Sequence, residues 1–405
     1  TGARNSAFGN AALSNNTIGS NNVAFGNGSL QSNTTGVNNT AVGYQSLLSN
    51  TIGTLNSAFG SYALLNNTTG YGNSAFGRDS LKGNTIGTSN SSFGNYALKY
   101  NTTGSGNTSV GRAALANNTV GTSNTAVGRS SLQINTLGVS NSAFGHYSLL
   151  YNTTGTNNSA FGDAALQTNT IGVNSTAMGR SALKNSTASN NNAFGAYALL
   201  NNTTGTNNSA FGLNSMRFNT IGSNNVAVGG SLYSNTTGNF NVAVGVAALN
   251  ANTIGSNNTA VGYTALQNNT TNNNTAVGYA ALTANTTGTS NVAVGLDSLA
   301  NNTIASNNTA VGFRSLFTNT TGANNTAVGN QALRLNVIGS NNAAFGIYAL
   351  YNNTTNNNSA FGYKALFANT IGTYNVAVGY YSLLSNNSGG YNTAVGYNTL
   401  SANTF

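Results

Sequence analysis

The chain has 405 residues, of which only 4% are charged, and its 12 Lys and Arg against 3 Asp give a formal net charge of +9. It contains no Cys, which excludes a disulfide framework and a thiolate metal site. No run of 18 apolar residues is present, and the basic residues are spread along the sequence. We therefore expect neither insertion into a membrane nor a nucleic-acid partner.

One repeat runs through the whole sequence. Each unit begins with Ala-Phe-Gly, Ala-Val-Gly or a close variant, from Ala7 to Ala394, and successive units are 17 or 16 residues apart. Numbered from this Ala, the 24 units follow the pattern A-[FV]-G-x-x-[AS]-L-x-x-N-T-x-G-x-x-N-[STV]. Such a short, faithful period predicts a solenoid, in which neighbouring coils bury together what one coil cannot bury alone.

The first predicted element of each unit is a short strand. In Thr40-Ala41-Val42 the first and third side chains point to one side and Ala41 to the other. We expect the Phe or Val at position 2 to be buried with the Leu at position 7. The fold class is therefore all-β, a parallel β-solenoid (β-roll or β-helix) of about 24 coils with two or three strands per coil. Residues 1–405 are expected to form one continuous domain, part of a longer chain.

The turns are predicted from charge and from chain length. Of the 15 charged residues, 14 occur at positions 4, 5 and 8, so these corners are expected to face solvent. Four units lack one residue, which is tolerated at corners rather than in strands. We place these deletions after Leu183, near Gly229–Gly230, at Thr271–Asn272 and at Thr355–Asn356. They mark three corners: after the first Gly, after the Leu, and around the second Gly.

Four positions hardly vary and predict a structural ladder between coils. These are the Gly at position 3, the Leu at position 7 and the Asn at positions 10 and 16. We assign the Gly at position 3 and the Asn at position 10 to every unit, and the Asn column can stack amide on amide. In the first two units these ladder residues are Gly9, Leu13, Asn16, Asn22, Gly26, Leu30, Asn33 and Asn39. The Asn-Thr-x-Gly side carries no charge. It is either a neutral polar surface or a face that packs on another copy of the chain.

The repeat resembles those of known fibre proteins. The run Asn39-Thr40-Ala41-Val42-Gly43-Tyr44 and its continuation to Thr51 is similar to the repeats of bacterial and phage tail-fibre-like proteins. Its core is also similar to the repeat in the heads of YadA-like trimeric autotransporter adhesins, although that repeat is shorter. The resemblance covers essentially the whole chain. It implies a homotrimeric, parallel β-roll fibre that is extracellular, on a cell surface or a virion.

The residue inventory argues against an enzyme. General acid–base catalysis needs paired titratable groups, whereas Asp79, Asp163 and Asp297 are many coils apart and His146 follows a corner Gly. We expect no cofactor and no metal. Tyrosines at the corners can stack on sugars or anchor a protein partner. These candidate surface contacts are Tyr62, Tyr96, Tyr147, Tyr197, Tyr348 and Tyr380.

The sequence therefore favours a structural fibre with an adhesive or receptor-contacting role. Its expected partners are other copies of itself, as a homotrimer or an end-to-end filament, and host or environmental glycans. Two alternatives stay open. A regular Thr column is typical of an ice-binding β-solenoid, and uncapped coils fit a self-polymerising filament subunit of a surface or matrix.

Overall fold

A computed structural model describes residues 2–404 and shows an all-β parallel solenoid with one three-residue strand in each of 24 coils. The residues form two compact units, one up to Thr206 and one from Asn207 onward. The strands of the first unit are β1 (Ser6–Phe8), β2 (Val23–Phe25), β3 (Thr40–Val42), β4 (Ser57–Phe59), β5 (Ser74–Phe76), β6 (Ser91–Phe93), β7 (Thr108–Val110), β8 (Thr125–Val127), β9 (Ser142–Phe144), β10 (Ser159–Phe161), β11 (Thr176–Met178) and β12 (Asn192–Phe194).

The second unit has the same construction. Its strands are β13 (Ser209–Phe211), β14 (Val226–Val228), β15 (Val242–Val244), β16 (Thr259–Val261), β17 (Thr275–Val277), β18 (Val292–Val294), β19 (Thr309–Val311), β20 (Thr326–Val328), β21 (Ala343–Phe345), β22 (Ser359–Phe361), β23 (Val376–Val378) and β24 (Thr393–Val395). Within each unit every strand pairs in parallel with the next, in a register that places like positions side by side, as in Ala41 opposite Ala58. The solenoid prediction is confirmed.

The side chains of each strand alternate between inside and outside as predicted. The residue that faces inward is the Ala, however, and not the expected Phe or Val. The middle residue of each strand from β2 onward is buried, and Ala41, Ala58 and Ala75 are fully inaccessible. The Phe or Val at position 2 points outward; Phe25 is 53% exposed and Phe59 is 37% exposed. The prediction that this column belongs to the core was therefore wrong. Only a small residue, Ala or in two strands Ser, fits between the strand and the facing wall of so narrow a coil.

The turn after the strand requires Gly for two reasons. Gly94 has φ +141°, and a Cβ there would lie 2.6 Å from the carbonyl oxygen of Gly111 in the next coil. Both observations explain why this position never varies. Two residues in the following turn then adopt left-handed backbone conformations, as Tyr96 (φ 61°) and Leu98 (φ 48°) do. A left-handed Leu is strained, yet it directs a large side chain into the interior, where Leu98 is fully buried.

The interior of each coil is small and partly polar. Besides Ala and Leu, it holds Ala or Ser at position 6, Asn at positions 10 and 16, and Gly at position 13. The Asn50 Nδ2 donates to Asn33 Oδ1 of the preceding coil (2.9 Å) and to the carbonyl oxygen of Gly53 (3.0 Å). The position-16 column is also bonded, since the backbone N–H of Asn39 donates to Asn22 Oδ1 (3.0 Å). The predicted amide ladder is confirmed, and it satisfies polar groups that burial would otherwise penalise.

Two further expectations need correction. Each coil contains one strand rather than two or three, because the other two sides turn too tightly to extend. The first deletion does not follow Leu183. Ser186 lies at position 10 and accepts a hydrogen bond from Asn202 Nδ2 (3.2 Å), so the missing residue belongs to the corner of the second Gly. That corner therefore accounts for three of the four short coils.

The short coils interrupt the amide ladder. Three coils are shortened at the second Gly corner. The coil that precedes each of them has a position-10 Asn whose buried Oδ1 has no hydrogen-bond partner: Asn169, Asn252 and Asn336. In the coil after Asn252, Asn269 Nδ2 donates instead to the carbonyl oxygen of Thr271 (2.8 Å). In the coils of β16 and β21 the loss of one corner residue thus separates the amide from the previous coil, whereas in the coil of β11 the position-10 residue is Ser186, which has no amide to donate.

Candidate functional site

The first candidate surface is the strand face, which we define as the outward first and third residues of β1–β24. It combines Ser, Thr or Val with Phe or Val, and no charged residue occurs in it. Its phenylalanines stack along the coils: the ring centres of Phe59 and Phe76 are 4.8 Å apart, and those of Phe76 and Phe93 are 4.9 Å apart. The position-2 side chains thus form a continuous apolar column on each unit beside a column of mostly Ser, Thr and Val, and exposed apolar surface of this kind marks an interaction site.

The Asn-Thr-x-Gly side is less available than its sequence suggests. Its Asn and Gly face inward, and the hydroxyl of Thr51 donates to the carbonyl oxygen of Thr68 in the next coil (3.2 Å). The outward residue at position 12 alternates between Thr and an exposed aliphatic side chain, such as Ile52 or Ile86. A wide, regular array of free Thr hydroxyls, as an ice-binding face would need, is therefore not formed here.

The second candidate surface is the charged corner, defined by positions 4, 5 and 8. The fold brings basic residues together there that are well separated in sequence. The coils that contain β5–β8 carry five basic residues on this corner: Arg78, Lys82, Lys99, Arg112 and Arg129. One acid lies among them, Asp79, which is paired with Lys82 Nζ at 3.1 Å and with Arg78 Nε at 3.6 Å. These five basic residues therefore lie together in space, although the basic residues are spread along the sequence.

A cavity of about 320 Å³ opens on this corner. It is lined by Tyr96, Lys99, Tyr100, Arg112, Ala113, Ala116, Asn117 and Gln133. Lys99 Nζ lies 5.0 Å from the ring centre of Tyr96 and 4.9 Å from that of Tyr100, within the range of cation–π attraction. Of the six proposed tyrosines, Tyr96 is the one that lines this cavity. The charge pattern places Lys99 and Arg112 at corners as well, but their grouping with Tyr96 depends on the fold, because Arg112 comes from the next coil.

The six tyrosines do not form one site. Five of them, all except Tyr380, occupy position 5, where the backbone is left-handed and the rings are half-buried against neighbouring side chains. Tyr380 occupies position 4 and is 41% exposed. The guanidinium of Arg180, for example, lies 4.7 Å from the ring centre of Tyr197. Most of the candidate tyrosines are thus packed along the corner rather than presented to solvent.

An aromatic cluster on the second unit contains two of the six tyrosines, Tyr348 and Tyr380, which both contact Tyr363. Tyr363, Tyr380 and Tyr397 occupy position 4 of successive coils, with ring centres 5.1 and 5.4 Å apart. Lys364 Nζ lies 5.4 Å from the ring centre of Tyr363. A hydrogen bond with Tyr381 raises the pKa of Tyr380 to about 12. The even 17-residue spacing of these tyrosines in the sequence is the signal for this stack.

The titratable residues form one unexpected pair. His146 Nδ1 lies 3.1 Å from Asp163 Oδ1, because both occupy position 4 of adjacent coils. The other ring nitrogen, Nε2, is buried without a hydrogen-bond partner, and the ring lies against Tyr147 with centres 3.6 Å apart. Nε2 is therefore not exposed to an external ligand. Among residues 2–404, no group of three or more His, Cys, Asp or Glu side chains is placed to hold a metal ion.

Comparisons with known proteins do not assign the chain. No protein-family model matches it, and no curated protein sequence is similar to it. Within the described part of the chain, no helix has the length and apolar character needed to cross a bilayer.

Proposed function

We propose that the chain is an extracellular structural fibre segment that associates with copies of itself through the strand face and presents its charged corner to adhesion partners. The observation that carries this proposal is the uninterrupted apolar column at position 2. The resemblance to tail-fibre-like and YadA-like repeats implies three copies on a cell surface or a virion. No catalytic step is assigned to the segment.

The size of the strand face supports association. Each unit presents twelve position-2 side chains, and typical members such as Phe93 (41%) and Val277 (37%) keep well over a third of their surface exposed. Because a fully buried aromatic side chain covers about 150–250 Å², twelve partly exposed ones offer on the order of 800 Å². That is about the area each partner contributes to a stable protein–protein interface.

The distribution of charge is also compatible with association through the strand face. Every charged residue of the repeats lies at positions 4, 5 or 8, so copies can meet through the strand face without burying an ion. The charged corner then stays in solvent, where it is available to partners. The Asn-Thr-x-Gly side is also uncharged, but its Asn and Gly face inward, so the apolar column is what supports the strand face as the self-association surface.

The mass of the full chain in solution tests this proposal. Light scattering is expected to give about three times the monomer mass of 40.9 kDa. A triple variant, Phe59→Lys, Phe76→Lys and Phe93→Lys, places charges on the strand face and should give the monomer mass, since desolvating three ammonium groups opposes association.

The matched control carries the same three charges on the corner. Gln45→Lys, Thr264→Lys and Gln331→Lys change position 5, where Lys364 occurs with the same left-handed backbone. This variant should keep the mass of the natural chain. A monomeric natural chain, or equal dissociation of both variants, would contradict self-association through the strand face.

A further inference from the structure

The cavity on the charged corner arises from a local change in side-chain size. In the coil of β6, positions 5 and 8 are Tyr96 and Lys99, whereas in the coil of β7 they are Ala113 and Ala116. The two small residues leave a depression between larger neighbours. Its volume of about 320 Å³ lies at the lower end of the range for small-molecule sites. It is therefore large enough for a single small ring with its substituents.

The lining of this cavity is cationic and rich in hydrogen-bonding groups. Lys99 and Arg112 supply two positive charges, and none of the lining residues is acidic. Asp79, the acid of the neighbouring coil, is already paired with Arg78 and Lys82. Neither Lys99 nor Arg112 takes part in an ion pair within residues 2–404. The cavity thus presents uncompensated positive charge to a ligand.

The remaining groups suit a polyhydroxylated ring. Asn117 and Gln133 each carry an amide that both donates and accepts, which matches the vicinal hydroxyls of a sugar. Tyr96 and Tyr100 form an amphipathic wall with hydroxyl groups, and the ammonium of Lys99 is held against both rings. Because this cation is already positioned, less side-chain freedom is lost when a ligand binds.

We propose that this cavity binds one carboxylate-bearing sugar unit of an acidic polysaccharide, with Arg112 and Lys99 on the carboxylate and the amides of Asn117 and Gln133 on the hydroxyls. The planar guanidinium fork of Arg112 matches a carboxylate better than an ammonium alone would. A nucleic acid is less well suited, since it needs an extended track of stacking faces and cations rather than one isolated depression. This inference deepens the adhesive part of the proposed function by naming the class of ligand.

Calorimetric titration of the full chain with trigalacturonate, at physiological salt, tests the inference. Arg112→Gln keeps much of the side-chain length but removes the charge, and it should weaken binding about tenfold. Ala113→Tyr fills the cavity and should weaken binding by a similar factor. We expect the Ala113→Tyr variant to fold, because position 5 carries Tyr with the same left-handed backbone at Tyr62, Tyr96 and Tyr147.

The matched control is Arg129→Gln, which removes the same charge from the same position one coil further on, outside the cavity lining. It should change the dissociation constant less than about twofold, because Arg129 does not line the cavity and its attraction for the bound ligand is weakened by the solvent between them. The neutral trisaccharide maltotriose should not bind. Equal losses in R112Q and R129Q, binding of maltotriose as tight as that of trigalacturonate, no binding of trigalacturonate, or tighter binding of a thymidine oligonucleotide would each overturn the proposal.

The same samples separate the two proposals. Light scattering reports self-association independently of ligand, and none of the three corner variants changes the strand face. A natural chain that binds trigalacturonate as a monomer would refute the fibre interface and leave the ligand site standing. A trimer that binds no acidic sugar would do the reverse.

Discussion

Two apolar columns run along the solenoid, and they have opposite environments. The Leu column at position 7 is buried, with Leu30, Leu47 and Leu98 fully inaccessible. The position-2 column is equally apolar in sequence, yet Phe25 and Phe59 stand on the outer surface of the strands. The difference follows from backbone geometry: the left-handed turn aims Leu inward, whereas the strand can point only its middle residue inward.

This difference shows that the narrow coil sorts side chains by volume as well as by polarity. The inward residue of a strand faces the opposite wall at close range, and only Ala or Ser occurs there. Leu lies at a corner, where the interior is wider, and the two Asn columns fill the rest through hydrogen bonds. The large position-2 residues, excluded from the core, become a surface that another molecule can cover.

The largest expected effect contrasts truncations in the two columns. Leu98→Ala removes a fully buried side chain and should destabilise its coil by about 2–5 kcal/mol, through lost burial and a cavity. Phe76→Ala loses stacking with two rings and should cost only about 1 kcal/mol in the unassociated chain. Amide hydrogen exchange of neighbouring coils measures both, since a repeat chain need not unfold in two states. Equal costs would contradict the assignment of inside and outside.

The volume limit is tested by placing Leu on the inner and on the outer side of one strand. Ala75→Leu forces a large side chain into a fully buried position and should cost about 1–3 kcal/mol. Phe76→Leu, its neighbour on the outer side, should cost less than about 1 kcal/mol. Hydrogen exchange across β4–β6 reports the result. If Ala75→Leu were tolerated as well as Phe76→Leu, the interior would be wider than described.

The contribution of the amide ladder to stability is tested by restoring a short coil to its full length. Inserting one Gly between Thr271 and Asn272 returns that coil to 17 residues, so Asn269 Nδ2 can reach Asn252 Oδ1, which is now buried and unpartnered. This should stabilise the chain by about 1 kcal/mol, raising the melting temperature. The same insertion between Gly255 and Ser256, in a coil of full length, serves as the control and should lower it. Lower stability for both insertions would show that the broken ladder bond is not recoverable.

The smallest expected effect concerns the tyrosine stack on the corner. The hydrogen bond with Tyr381 raises the pKa of Tyr380 to about 12, above its ordinary value of 10.0. The folded chain therefore holds this proton more tightly than the unfolded chain. The resulting stabilisation is complete below about pH 10 and is lost as the pH rises through about 12.

Removing the hydrogen bond tests whether it causes the raised pKa of Tyr380. In Tyr381→Phe the pKa of Tyr380 should fall toward its ordinary value, as measured by NMR titration of ring-labelled tyrosine. Tyr62→Phe, distant on the first unit, should leave it unchanged. An unaltered pKa of Tyr380 in Tyr381→Phe would exclude this hydrogen bond as the cause.

Much of the candidate site followed a pattern that the sequence already contained. The corner positions were predicted from charge, and Arg112, Lys99 and Tyr96 were all placed there. The cavity between them was not predictable, because it depends on Ala113 and Ala116 lying beside larger residues of adjacent coils. The pairing of His146 with Asp163 was likewise signalled by a 17-residue spacing, but only the coil geometry gives their separation of 3.1 Å.

The sequence by itself determined the repeat, the all-β solenoid, the position of each strand and the Asn ladder, because period, Gly placement and unvarying polar residues are local properties of the chain. The tertiary structure alone decided which apolar column is buried. A two-residue alternation says that Ala41 and Val42 face opposite ways, but not which way is in. That choice depends on the volume enclosed by the closed coil, and the left-handed Leu that closes it is a conformation that no residue-level preference predicts.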